Sequence, residues 1–136
     1  MSEIEIRPAK PDDLPFIYAT WLKSYRTSQF AQNIESKIYF SWHHKIIESI
    51  LTRSQVVIAH PTGQPNIIVG YLVTEPNVVH YCYVKFQFRK LGVATNLIQH
   101  QSIDPNQMQF THATPDMNWI ALKYPLLTNN YNPYAI

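Results

Sequence analysis

The sequence predicts a mixed α/β fold of the α+β kind, a twisted and mostly antiparallel sheet with helices on both faces, in a single domain over residues 1–136. Three observations predict it. Two segments near the N-terminus repeat apolar residues at helical spacing; three β-branched runs separated by turn residues follow; and the last of these runs enters a second helical pattern through a short basic loop. Composition agrees. Hydrophobic residues make up 46% and charged residues 15% of the 136, enough to build one core and too apolar for a disordered chain.

Taken in order, Ile4–Arg7 reads as a short strand, and Pro11-Asp12-Asp13 as a helix start with acidic residues at the positive end of the helix dipole. Leu14, Ile17, Trp21, Leu22 and Tyr25 then recur on one helical face. A polar loop over 27–36 leads to a second amphipathic helix over 37–51, with Ile38, Tyr39, Trp42, Ile46, Ile47 and Ile50 as its apolar set. Residues 56–60 and 66–75 read as strands about the turn 61–65, and Pro76-Asn77 turns the chain into a strand over 78–84. A helix starts near Leu91, residues 108–114 return as a strand beside 78–84, and a last helix runs from Asp116 to Tyr124 before Pro125.

Several functions are excluded or disfavoured by what is missing. No run approaches the roughly 18 apolar residues of a membrane span, and no signal-peptide pattern opens the chain. The formal net charge of +2, without a basic run interleaved with aromatics, argues against nucleic acid. The one cysteine, Cys82, fits a reducing, cytoplasmic setting. Six histidines invite a metal reading, yet His43-His44 is adjacent rather than spaced and no His-Glu-x-x-His or Cys-x-x-Cys occurs, so no metal is expected. Cys82 as an acyl-accepting nucleophile lacks an identifiable base, and a buried thiol is the simpler role.

The chemistry concentrates in Val84-Lys85-Phe86-Gln87-Phe88-Arg89-Lys90-Leu91-Gly92-Val93-Ala94, where a strand passes through a basic turn into a helix. Gly92 is one of three glycines, and its place predicts a backbone conformation or approach that a side chain would prevent, with successive amides free to close on a phosphate. The plainer reading of Arg89 and Lys90 alone is a solvated basic turn. Arg89-Lys90-Leu91-Gly92-Val93-Ala94, however, resembles the Arg/Gln-x-x-Gly-x-Gly/Ala loop of the GNAT superfamily of N-acetyltransferases. Residues 4–13 resemble that family's opening strand and turn, and residues 67–73 its strand before the cofactor strand. Two departures are visible: Phe86 stands where a Pro is common, and the usual Gly-Phe after the last helix is missing.

The resemblance implies acetyl-CoA as acyl-donor substrate. Leu91, Gly92, Val93, Ala94 and Thr95 would present backbone amides to the pyrophosphate, Arg89 and Lys90 would add cationic donors, Val84 would lend its backbone to the pantetheine arm, and Tyr83 and Phe86 are further cofactor-binding candidates. An alkyl ammonium titrates near ~10.4, so transfer needs a route for a proton. His80, nine residues before Arg89 on the same strand, is the candidate base, and a hydrogen-bonded structural histidine is the alternative; by strand alternation it shares a face with Cys82 and Val84. Glu75 is the second candidate. Asn118-Trp119-Ile120-Ala121-Leu122-Lys123-Tyr124 resembles the family's segment that ends in a Tyr acid, one residue shorter here, which makes Tyr124 the candidate acid with Tyr131 and Tyr134 behind it. Tyr25, Arg26 and Phe30 are candidate acceptor contacts by that resemblance, against the plainer and preferred reading of Tyr25 as core and Phe30 as a loop anchor. The implied function is acetyl transfer from acetyl-CoA to an amine, on a small molecule or a protein, by direct attack. The competing function is an inactive acyl-CoA-binding or protein-interaction module with the same fold. Dimers are common in the family, so the resemblance leaves a homodimer open without the sequence fixing the oligomeric state.

Overall fold

The computed structural model describes residues 4–26, 33–76, 78–89, 92–101, 109–112 and 132. Strand β1 (Ile4–Pro8) leads through a short 3-10 turn (Pro11–Asp13) into helix α1 (Leu14–Arg26), followed by α2 (Ser36–Arg53), β2 (Gln55–Pro61), β3 (Gly70–Glu75), β4 (Val78–Val84), α3 (Val93–His100) and β5 (Gln109–Phe110). The five strands form one sheet in chain order. β1 to β4 are antiparallel, and β5 joins β4 in parallel through Val78↔Gln109 and Val79↔Phe110. That parallel step needs a crossover, which contains α3. The mixed sheet and the helix positions agree with the sequence reading.

Alternation along β3 and β4 assigns the two faces. Tyr71 and Tyr81 lie on the α1 side: the Tyr71 hydroxyl is 2.7 Å from Thr20 Oγ1, and Tyr81 stacks on Trp21 at 5.1 Å. Gly70, Leu72 and Cys82 lie on the other side, where a Cβ at Gly70 would stand 3.4 Å from Val93 of α3 and 2.6 Å from the Tyr83 carbonyl. α1 buries Ile17, Trp21, Leu22 and Tyr25, as its spacing predicts. Its start is fixed by Asp13, which accepts both guanidinium nitrogens of Arg7 at 2.8 and 3.0 Å and the Lys10 amide at 2.7 Å.

Three details differ from the sequence reading. α2 buries Tyr39, His43, Ile47 and Ile50, so its inward stripe includes a histidine, while Ile38 and Trp42 stay 58% and 44% exposed. Tyr39, whose hydroxyl donates to the Leu22 carbonyl, fixes that rotation. β3 starts at Gly70 rather than Asn66, because turns closed by Gln64 N–H to Pro61 and Ile67 N–H to Gln64 occupy the chain first. A β-bulge also interrupts the β3–β4 ladder: Val73 pairs with Tyr81 and Thr74 with Val79, leaving His80 as the extra residue. The helix expected over 116–124 lies outside the described residues.

Candidate active site

The β4–α3 turn is the candidate cofactor site. After Val84 the chain makes a 3-10 turn over Phe86–Phe88, with the Phe88 amide donating to the Lys85 carbonyl at 2.9 Å. Arg89 folds back along the strand end, its Nε donating to the Val84 carbonyl at 3.0 Å and its guanidinium lying 5.7 Å from the centre of the exposed Phe86 ring. Gly92 caps α3 at φ 83°, a left-handed conformation that favours glycine. The sequence left two reasons for a glycine here, a backbone conformation or a close approach. The conformation is the one that applies, since a Cβ there would meet nothing within 4 Å. The first helical bond runs from the Asn96 amide to the Gly92 carbonyl, so the amides of Val93, Ala94 and Thr95 have no acceptor within the helix. No acidic residue occupies its first turn, leaving the positive end of the helix dipole uncompensated there.

These residues flank the end of β4. Val84 is buried on the α3 side, while the Tyr83 ring turns to the α1 side and packs on Tyr71 and Phe16. Lys90, Leu91, Phe30, Tyr124, Tyr131 and Tyr134 lie outside the described residues.

A separate polar cluster is built around His80, four residues before Val84 on β4. The bulge turns this side chain out of phase with Cys82 and Val84, so the shared face expected from simple alternation does not form. His80 is fully buried, and both ring nitrogens are bonded: Nε2 lies 2.7 Å from Glu75 Oε2 and Nδ1 3.0 Å from Thr111 Oγ1. Glu75 is fixed from outside by Arg53 of α2 at 2.9 Å. Thr111 Oγ1 continues to His112 Nδ1 at 2.9 Å, and His112 Nε2 lies 2.9 Å from His43 Nε2. The two sequence candidates for a base, His80 and Glu75, are therefore joined, and the histidine is reached only through its neighbours.

Sequence reasoning missed the rest of this chain. His43 was set aside as one of an adjacent pair, yet it stands four residues after Tyr39 and four before Ile47, on the inward stripe of α2. Thr111 and His112 follow β5 and come to His80 only through the parallel pairing with β4. No local pattern could have announced that contact.

Burial dominates the electrostatics. It pushes His43 from the ordinary 6.5 down to about 4 and His112 well below its usual value, the latter with help from His43 and His80. Burial also lowers His80, against the opposing pull of Glu75. Burial raises Glu75, but hydrogen bonds from His80 and Arg53 together with the Arg53 charge outweigh it and hold the carboxylate below its ordinary range. At neutral pH the three histidines are neutral and Glu75 is charged.

No protein-family model matches this chain, and no curated protein sequence matches it. Its fold does have solved counterparts. A GCN5-related N-acetyltransferase from Rhodopseudomonas palustris superposes with a TM-score of 0.60 at 18% identity, over 90% of this chain and 81% of the other. A Pyrococcus furiosus protein provisionally named an acetyl transferase gives 0.63 at 15%, over 89% and 91%. This chain has the GNAT acetyltransferase fold. The GNAT-fold protein YncA from Salmonella typhimurium, solved with its cofactor acetyl-CoA, superposes at 0.53 and 13% identity, over 90% of this chain and 76% of that one. At these identities the likeness is one of fold.

Proposed function

We propose that this GNAT-fold chain is an acyl-CoA-dependent N-acetyltransferase that passes an acetyl group from acetyl-CoA to an amine by direct attack on the thioester. The observation that carries this reading is the turn from β4 into α3, where a left-handed Gly92 opens a helix whose first-turn amides have no acceptor within the helix and whose first turn holds no acidic residue. That arrangement suits a pyrophosphate. Arg89, beside the Val84 carbonyl, supplies a cationic fork at its edge, and Lys90 and Leu91 complete the turn in sequence. A GNAT-fold neighbour solved with acetyl-CoA supports the choice of donor.

His80 belongs to the proton path in this reading. Because both its nitrogens are already bonded inside the protein, it acts through the hydrogen-bonded chain rather than by touching the amine. Tyr124 retains the role of proton donor to the departing thiolate by resemblance alone, and the acceptor remains defined only as an amine. Burial of His80 also favours a second reading, a module that binds acetyl-CoA without turning it over.

Mass spectrometry of tyramine, spermidine and a lysine-containing peptide after incubation with acetyl-CoA separates the two readings. Acetylated product that falls roughly 100-fold in the His80→Gln variant, with acetyl-CoA affinity unchanged, supports the enzyme. Binding without product from any amine supports the module.

A further inference from the structure

One face of α2 serves neither the core nor the turn into α3. The helix turns Tyr39, His43, Ile47 and Ile50 inward, and two rows of side chains at four-residue spacing remain on its outer side. One row is polar: Lys37, Ser41, Lys45 and Ser49 are all exposed. The row beside it is apolar: Ile38 and Trp42 are 58% and 44% exposed, and Ile46 is half-buried. Together the rows line an open groove of about 750 Å³ with Arg53 at its C-terminal end. Side chains four apart lie one above the other on a helix, so the groove follows α2 with cations along one side and apolar surface along the other.

The charge in this groove is not answered from within. Arg53 is tied to Glu75 at 2.9 Å, whereas neither Lys37 nor Lys45 forms an ion pair or a hydrogen bond with any described residue. Glu48, the one carboxylate within α2, lies near Tyr18 of α1 and pairs with neither lysine. A second copy of this face would set lysine against lysine, and α1 and α3 hold no carboxylate to match them. An anionic bilayer is recognised by clusters of roughly four to eight basic residues, more than the two lysines free here. Nucleic acid, held through its phosphates, would leave the apolar row uncovered.

We propose that this face of α2 is a docking groove for an acidic amphipathic helix of a partner protein. The partner's apolar side covers Ile38, Trp42 and Ile46, and its carboxylates meet Lys37 and Lys45. Spacing sets the register. Eight residues separate the two lysines, roughly 12 Å along the axis, so the matching carboxylates stand about two turns apart on the partner. Trp42 is the anchor, a large ring already held on one side by His43 at 5.1 Å and open on the other. Docking here is independent of the transferase reading and holds whether or not the chain turns over acetyl-CoA.

The test titrates the full chain into a fluorescein-labelled synthetic helix of about five turns, with Leu along one side and two Glu two turns apart, and reads anisotropy. The control peptide carries Lys in place of both Glu. Saturable binding of the Glu peptide, roughly 10-fold tighter than that of the Lys peptide and weakened by salt, is expected. Trp42→Ala should weaken it roughly 10-fold, and the double variant Lys37→Glu, Lys45→Glu should invert the preference between the peptides. Circular dichroism checks each variant, and Ile38→Ser, at a 58% exposed position, replaces Trp42→Ala if that chain does not fold. No binding of the Glu peptide by folded wild type overturns the proposal, as does equal affinity for both peptides or indifference to the lysine reversal. Self-association in sedimentation equilibrium that Trp42→Ala abolishes assigns the face to a second copy. Flotation with phosphatidylserine–phosphatidylcholine vesicles that the lysine reversal abolishes assigns it to a membrane. Both of these results contradict the proposal.

Discussion

Two glycines carry different physical duties, and substitution by alanine separates them. At Gly92 the backbone is left-handed and the space beside it is open, so Gly92→Ala should cost only the roughly 1–2 kcal/mol of placing an L side chain in that region. At Gly70 the dihedral angles are ordinary, but a Cβ would lie 2.6 Å from the backbone carbonyl of Tyr83, which cannot swing away as a side chain can. Gly70→Ala should therefore destabilise more, by roughly 3 kcal/mol, and loosen the contact between β3 and α3. Urea denaturation midpoints at a common slope give both values, and a larger loss at Gly92 than at Gly70 would contradict the assignment. Gly92 was legible in the sequence because a sparse glycine between a strand and a helix has few explanations. The importance of His43 was not, because its partner His112 is 69 residues away and is placed by the fold.

Elements show the same division between local and long-range causes. The stripe of α1, the antiparallel order of β2 to β4 and the start of α3 within two residues of Leu91 follow from local period and turn chemistry, and the sequence revealed them. The bulge at His80 did not show, since nothing in Val78–Val84 breaks the alternating pattern; the mismatch arises where the ladder with β3 slips by one residue. The rotation of α2 was likewise invisible, because Ile38 and Trp42 are as apolar as the residues it buries. One inter-element tether is directly testable. Asp13 joins the first helical turn to β1 through Arg7, and Arg7 reaches on to the Pro65 carbonyl at 2.8 Å. Asp13→Ala removes three charge-assisted bonds, two from Arg7 and one from the Lys10 amide, and leaves a part-buried guanidinium without its carboxylate. A loss of roughly 1.5–3 kcal/mol in thermal or chemical denaturation is expected, and a neutral substitution would show that β1 is held by other contacts.

For the molecule as a whole, the buried histidines set a pH dependence with a definite sign. His43 titrates near 6.5 when unfolded and at about 4 when folded, so its contribution is complete above pH 6.5 and is lost as pH falls from there towards 4. The groups facing it are Tyr25 from α1, Tyr39 and Trp42 from α2, and His112 after β5, none of which adds a charge at neutral pH. His80 and His112 shift in the same direction. The full shift at His43 is worth roughly 3 kcal/mol. The carboxylates Asp13 and Glu75, held below their ordinary values, add to acid sensitivity only at lower pH. The melting temperature should therefore fall between pH 7 and pH 5, before carboxylates titrate, and His43→Gln should flatten that slope; a constant melting temperature across this interval would contradict burial of neutral histidines. Among the described residues no helix is long and apolar enough to cross a membrane, and the sheet, its two helical faces and the β4–α3 turn form the frame on which the functional reading depends. Titration calorimetry with acetyl-CoA tests that reading most directly: saturable binding by the wild type, lost in a Gly92→Glu variant that keeps its circular dichroism, is the predicted result, and absence of heat from a folded wild type would contradict it.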